Sequence, residues 1–117
     1  MAKEIRVKNI RIVEKEGTFY SIFSRFKGKT KRESDIAKLR SILSNEKAKL
    51  LHIIKTKKPS SIYELAKLLG RDFKAVRYDI KLLEEFGFVE LISSHKNGRE
   101  RLRPVIDADQ ITINISI

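Results

Sequence analysis

The segment at residues 60–91 constrains the fold more than any other, because it holds two short helical patterns with almost no chain between them. Ser61 is followed three residues later by a glutamate, the spacing of a capping box, and predicts a helix start. Gly70 suits the left-handed position that ends a helix about two turns later. Asp72 predicts the N-cap of a second helix over residues 73–86. Such a short connection indicates a helix-turn-helix layout.

The second helix has two different faces. One stripe at helical spacing predicts burial in the core, and it comprises Phe73, Val76, Ile80 and Leu83. The opposite face is cationic with one aromatic, and it comprises Lys74, Arg77, Tyr78 and Lys81. An arginine in the first two turns suits guanine acceptors in a major groove, and tyrosine suits phosphate or a thymine methyl. The alternative for Lys74 and Lys81 is an ordinary solvated helix face.

The residues after this helix predict a β-hairpin at residues 88–106. Asn97 and Gly98 lie between two alternating runs, and this dipeptide is the strongest short-range hairpin signal. Three arginines share one side of the return strand by the period of two, and they are Arg99, Arg101 and Arg103. They suit a phosphate backbone or a minor groove; the alternative is a solvated face partly neutralised by Glu90 and Glu100. Pro104 predicts an edge strand.

The string ELAKLLGRDFKAVRYDIKLLEEFGFVEL, the hairpin with its Asn-Gly tip and the alternating tail QITINISI resemble winged-helix transcriptional regulators of archaea and bacteria, broadly similar to the MarR group. The resemblance covers roughly residues 39–117 and implies binding of double-stranded DNA. It puts the recognition helix in the major groove and the hairpin, as a wing, on the flanking backbone or minor groove. The DNA-binding residues then expected are Arg71, Lys74, Ala75, Arg77, Tyr78 and Lys81 with the wing residues His95, Lys96, Asn97, Arg99 and Arg101. Alanine at 75 and tyrosine at 78 depart from the small hydroxylated or arginine residues frequent in that group, so base preference does not carry over.

Charge supports a polyanionic partner but is concentrated at the front of the chain. The 117 residues carry a net charge of +11 with a pI near 10.0, and 41% of them are hydrophobic. Residues 1–32 have ten basic and three acidic residues, a net of +7, whereas residues 59–117 have nine of each. We expect an α+β chain with a basic N-terminal extension at residues 1–32 and a winged helix-turn-helix domain at residues 33–117. A phosphate-contacting arm, or alternatively a solvated connector, is formed by Lys27, Lys29, Lys31 and Arg32.

The N-terminal extension at residues 1–32 combines strand and helix patterns. Residues 5–13 predict a strand with a bulge where the apolar phase slips at Asn9 and Ile10. Residues 17–28 have phenylalanines at helical spacing but residue types that favour strand, and we expect a short helix there. Further helices are predicted to begin at Ser34 or Asp35 and at Asn45, the latter ending before Pro59. The C-terminal strand presents Ile111, Ile113, Ile115 and Ile117 on one side, and it is expected to pair with the first strand of its own chain or of a second copy.

No pattern of an enzyme is present. The chain has no cysteine, and its two histidines, His52 and His95, lie in different predicted elements without carboxylates at metal-ligand spacing. We therefore expect no catalytic residue, metal or cofactor. No signal peptide or membrane-spanning run is apparent, which predicts a cytoplasmic protein. The abundance of isoleucine, lysine and glutamate is typical of thermophilic proteins.

The main functional expectation is a sequence-specific regulator that binds duplex DNA as a symmetric homodimer, since one recognition helix and one wing contact few bases. The alternative is an antitoxin-like or assembly protein that uses the winged fold as a protein-interaction scaffold. RNA binding through the basic front is a third option. The operator, any small-molecule effector and the direction of regulation cannot be inferred from the residues.

Overall fold

The computed structural model describes residues 4–23, 30–32 and 34–117, and within these ranges the chain is α+β, as expected. The described elements are β1 (Val7–Lys15), β2 (Thr18–Phe23), β3 (Thr30–Arg32), α1 (Ser34–Ile42), α2 (Asn45–Lys57), α3 (Ile62–Leu69), α4 (Phe73–Glu85), β4 (Glu90–Lys96), β5 (Arg99–Val105) and β6 (Gln110–Ser116). The chain divides into two compact units. Unit 1 contains residues 1–42 and 108–117, and unit 2 contains residues 43–107.

Unit 1 is built on a four-stranded sheet in the order β3-β2-β1-β6. β1 and β2 are antiparallel and joined by a two-residue turn, in which Glu16 and Gly17 both have positive φ. β6 returns from the far end of the chain and pairs in parallel with β1 of the same chain, which is the first of the two expected pairings. Helix α1 contacts β2, and its Leu39 and Ile42 are buried.

The β1–β6 ladder sorts side chains by the period of two. Ile10 aligns with Ile113 and Ile12 with Ile115, so isoleucines of both strands share one face, and Ile10 and Ile12 are buried. The register runs from Val7 to Val13 without interruption. The predicted bulge is therefore wrong. In a regular strand Ile10 and Ile12 are buried on one face, and Val7 and Val13 lie on the other face.

Two further expectations for the extension need correction. Residues 18–23 form a strand, not a short helix, because β1 offers a hairpin partner for β-branched and aromatic residues. Phe26, which contributed to the helical spacing, lies outside the described residues. The division between units also falls after residue 42 rather than after residue 32, since α1 packs on β2 and β6 belongs to the sheet of unit 1.

Unit 2 contains three helices whose ends follow the capping signals in the sequence. The Ser61 hydroxyl accepts from the Glu64 amide at 3.0 Å, and the Asp72 carboxylate accepts from the Ala75 amide at 3.2 Å. The Glu64 carboxylate reaches back one residue further than predicted and accepts from the Ser60 hydroxyl at 2.8 Å. Helix α2 is capped by Ser44 rather than by Asn45, because the Ser44 hydroxyl accepts from the backbone of the third residue along.

The turn between α3 and α4 depends on Gly70, whose φ of 64° lies in the left-handed region. The next amide, that of Arg71, donates to the Ala66 carbonyl at 3.1 Å and closes the helix end. The core of unit 2 is made by fully buried side chains from all three helices and the start of the hairpin, namely Leu50, Leu65, Val76, Ile80, Leu83 and Val89.

Strands β4 and β5 form the predicted hairpin as a separate two-stranded sheet. Lys96 and Arg99 flank the turn, where Asn97 and Gly98 have φ of 55° and 74°. Two consecutive positive φ values are the requirement of the tight hairpin turn that the Asn-Gly dipeptide satisfies. Pro104 is buried opposite Leu91 on a strand that pairs on one side, as an edge strand allows. Across the described ranges, the helices are too short or too polar to span a bilayer.

Candidate nucleic-acid interface

Helix α4 carries a solvent-exposed face that comprises Lys74, Ala75, Arg77, Tyr78 and Lys81. Tyr78 is 69% exposed, a high value for a large aromatic side chain. Lys81 makes a long ion pair with Glu84 at 4.0 Å. Lys74 and Arg77 form no ion pair with any residue in the described ranges. The helix thus presents two unpaired cations and an aromatic ring to solvent.

The rotation of α4 about its axis is set by a buried carboxylate on its other side. Asp79 lies directly after Tyr78 in sequence and is 5% exposed. Its Oδ1 is 3.3 Å from Lys47 Nζ on α2, and its Oδ2 accepts from Arg71 Nη2 at 3.1 Å. Because successive residues on a helix are about 100° apart, Arg77 lies nearly opposite the inward-facing Asp79, and the exposed Tyr78 lies beside Arg77 on that outer side.

Arg71 belongs to this internal network and not to the exposed face. Its Nη2 also lies 2.7 Å from the Glu46 carboxylate, and its Nη1 is buried without a hydrogen-bond partner in the described structure. A guanidinium held between two carboxylates is largely neutralised and fixed in position. These ion pairs give Arg71 a role in positioning α4, and its assignment to DNA binding stays a prediction.

The hairpin separates its charges onto two faces. Residues directly opposite each other in the ladder share a face, so Arg99 lies beside Lys96, Arg101 beside Ser94 and Arg103 beside Ile92. The three arginines and Lys96 are exposed. On the other face Glu100 lies opposite His95 and accepts from the Ser93 hydroxyl at 3.0 Å.

Glu100 therefore forms no ion pair with the arginines within the described chain, since it bonds to Ser93 on the other face of the strand. Glu90 lies on the arginine side at the opposite end of the hairpin from the turn, where it faces Val105. The half nearest the turn is therefore cationic on this face. The remaining tip residues, His95 and Asn97, are exposed as well.

A groove within unit 2 brings α4 and the hairpin together. It has a volume of about 570 Å³ and is lined by side chains of α3, α4 and β5, among them Tyr63, Phe73, Arg77, Arg99, Glu100 and Arg101. Arg77 is thus a neighbour of two hairpin arginines that lie more than twenty residues away in sequence. None of these three arginines has an ion-pair partner among the described residues.

Sequence reasoning missed two aromatic residues of this groove. Phe73 was expected in the core but is 41% exposed, because it is the first residue of α4 and lies beyond the packed turns. Its ring centroid is 6.3 Å from that of Tyr63, whose ring is also contacted by Lys67 Nζ at 4.9 Å. The buried stripe of α3 includes Ile62, Leu65 and Ala66 but not Tyr63. That spacing was the signal in the sequence that Tyr63 faces outward.

The predicted basic arm is described only in part. Lys31 and Arg32 belong to β3, the outer strand beside β2, and so residues 30–32 are not a linker. Lys27 and Lys29 lie outside the described residues. No group of three or more potential metal-ligating side chains occurs in the ranges that the structure covers.

Comparison with known proteins adds one relationship. The family model HVO_A0114 matches residues 42–113, more than half of the chain, and these residues include all of unit 2 with its three helices and its hairpin. A search of curated proteins finds no match.

Proposed function

The chain belongs to the HVO_A0114 family, and we propose that it is a sequence-specific regulator of transcription that binds double-stranded DNA through a winged helix-turn-helix. In this proposal α4 is the recognition helix in the major groove, and the β4–β5 hairpin is the wing on the flanking backbone or minor groove. The order of three helices followed by a hairpin in unit 2 is compatible with that fold.

The observation that carries the proposal is the convergence of Arg77, Arg99 and Arg101 on one groove without acidic partners in the described chain. Guanidinium groups that line the same groove repel one another to an extent set by their separation, so an anion bound among them is stabilising. Arginine also binds phosphate and guanine through paired hydrogen bonds, which makes it suitable for both backbone and base contacts.

The distribution of charge in unit 2 agrees with this orientation. Residues 43–107 contain 14 basic and 9 acidic residues, a net of +5. Two of the carboxylates, Glu46 and Asp79, are occupied by internal ion pairs. Glu84 and Glu85 lie at the C-terminal end of α4, so the N-terminal half of that helix is the part suited to approach phosphates.

We further propose that two copies bind together as a symmetric homodimer that reads a pseudo-palindromic site. β6 is the outer strand of the sheet in unit 1, and Ile115 on it is 56% exposed. An exposed isoleucine on an edge strand is stabilised when a second strand or sheet covers it.

The proposal is tested by selecting bound duplexes from a random library and measuring affinity for the best sequence. We expect discrimination of roughly a thousandfold over random DNA. Replacing Arg77 and Tyr78 together with alanine should remove most of this preference, because a bidentate base contact contributes about 1–3 kcal/mol of discrimination. Lys49→Ala is the matched control, since it removes an exposed cation of unit 2 from α2 and leaves α4 unchanged.

Two results would contradict the proposal. One is that no sequence is enriched in the selection. The other is that the double alanine variant keeps the full preference of the unaltered protein. Retention of a stable complex with an acidic protein partner in place of DNA would support the antitoxin-like or assembly role.

A further inference from the structure

The groove of unit 2 contains more than cations, because two aromatic rings line it beside the arginines. Tyr63 is 60% exposed and Phe73 is 41% exposed, and their rings meet at a tilt of 52°. The charged lining consists of Arg77, Arg99 and Arg101 with one carboxylate, that of Glu100, which leaves a net of +2. The groove therefore combines flat apolar surface with an excess of positive charge.

An intact duplex can contact the arginines of this groove, but it offers no free base face to the two aromatic rings. Its phosphates and base edges are accessible to a protein, but its base faces are stacked inside the helix. Aromatic side chains in nucleic-acid grooves contribute by stacking on the faces of unpaired bases, while nearby cations hold the phosphates. Tyr63 and Phe73 thus match a ligand that offers a free aromatic face next to an anion.

We infer that this groove binds a nucleotide unit whose base is unpaired, with the base against Tyr63 and Phe73 and its phosphate at Arg77, Arg99 and Arg101. The volume of about 570 Å³ lies within the range of ligand pockets, about 300–1,000 Å³. The nucleotide unit comes either from a free mononucleotide or from a single strand. This binding does not require that the protein recognise a duplex sequence, and so it goes beyond the proposed function.

The test uses the full chain with two probes, adenosine monophosphate and a labelled oligodeoxythymidine of about ten nucleotides, a length within the usual single-strand site size. In the unaltered protein, addition of the bound probe should shift the ring-proton NMR signals of Tyr63 and Phe73. In the double variant with Tyr63→Leu and Phe73→Leu, affinity should fall about tenfold, because stacking on a base is lost while apolar side chains remain.

Tyr78→Leu is the matched control, because Tyr78 is an exposed aromatic of the same helix as Phe73 that does not line the groove. It should lower affinity for the selected duplex and leave the affinity for the single strand or mononucleotide unchanged. Binding of the mononucleotide alone identifies a free nucleotide as the source, and binding of the oligonucleotide alone identifies an exposed strand. Either result supports the inference.

The inference is overturned if neither probe binds, or if binding occurs without ring-proton shifts of Tyr63 and Phe73 in the unaltered protein. It is also overturned if the leucine variant binds as tightly as the unaltered protein. Duplex affinity is measured on the same samples. Sequence-selective duplex binding without probe binding would remove this inference and leave the proposed function standing, whereas the reverse result would remove the proposed function alone.

Discussion

Asp79 is a charged residue of α4 that the fold buries, at 5% exposure. It places a carboxylate inside unit 2, where Lys47 and Arg71 compensate its charge from α2 and from the turn before α4. A buried ion pair contributes little net stability compared with apolar packing, but breaking one leaves a buried charge without a partner. The network therefore fixes the orientation of α4. Removing one member should destabilise the fold, because the remaining charges then lack a partner.

Asp79→Ala should lower the free energy of unfolding by about 3 kcal/mol, because Lys47 and Arg71 then remain partly buried without their shared carboxylate. Chemical denaturation followed by circular dichroism measures the change. Glu46→Ala is the control within the same network, since the Glu46 side chain is mostly exposed and such pairs contribute under about 1 kcal/mol. Equal losses in the two variants would show that Asp79 does not hold α4.

Phe73 and Arg71 show where residue patterns mislead. Helical spacing assigns Phe73 to the apolar stripe, but the stripe is buried only where another element covers it, and the first residue of α4 is not covered. Arg71 looks like its basic neighbours in sequence, yet the carboxylates that surround it come from α2 and from α4. The partner Glu46 lies far from Arg71 in the chain, and the exposure of Phe73 depends on which elements cover the start of α4.

At the scale of the element, the β4–β5 hairpin converts a mixed sequence into two faces of different charge. The alternation of arginine with other residues in β5 does this because neighbouring side chains of a strand point to opposite faces. The two-residue turn at Asn97 and Gly98 fixes the register, and a slip of one residue would move the whole arginine row to the other face of the hairpin, away from Lys96.

Replacing Arg99 and Arg101 with glutamine should reduce the salt dependence of duplex binding, since each phosphate contact contributes about 0.9 to the slope of log affinity against log salt concentration. We expect a slope smaller by about 2, measured by titration at several salt concentrations. The control variant carries Lys49→Gln and Lys57→Gln, which removes the same charge from exposed positions of α2. If the control lowers the slope equally, the hairpin has no special part in backbone contact.

Strand β2 illustrates an ambiguity that an element cannot resolve alone. Its phenylalanines fit helical spacing, while its β-branched and aromatic residues fit a strand. The outcome depends on β1, which is joined to it by a tight turn with two positive φ values and supplies a complete antiparallel ladder. Propensity is a weak preference compared with the backbone hydrogen bonds of such a ladder.

At the scale of the whole molecule, the chain interleaves its two units. Unit 2 is one continuous segment. Unit 1 contains residues from both sides of unit 2 in the sequence, since β6 follows unit 2 and pairs with β1. The parallel β1–β6 pairing joins residues about a hundred positions apart, and contacts of this kind are slow to form because they close a long loop.

Ile115→Lys should shift the protein from dimer to monomer, because a charge on the isoleucine face of β6 opposes burial against a second copy. Sedimentation velocity measures the change. Thr112→Lys is the control, since Thr112 lies on the opposite face of the same strand. A monomeric unaltered protein, or a dimer that tolerates lysine at position 115, would contradict the proposed homodimer.

The sequence alone determined the local parts of unit 2. Capping residues, Gly70 and the Asn-Gly turn act over a few bonds, so the ends of α3 and α4, the hairpin and its arginine row could be predicted from neighbouring residues. Only the tertiary structure decided which cations remain free for a ligand. Arg71 forms ion pairs with Glu46 and Asp79, while Arg77, Arg99 and Arg101 line one groove together with two aromatic rings. Those outcomes depend on distances between residues far apart in the chain, and electrostatic and stacking interactions follow distance in space rather than in sequence.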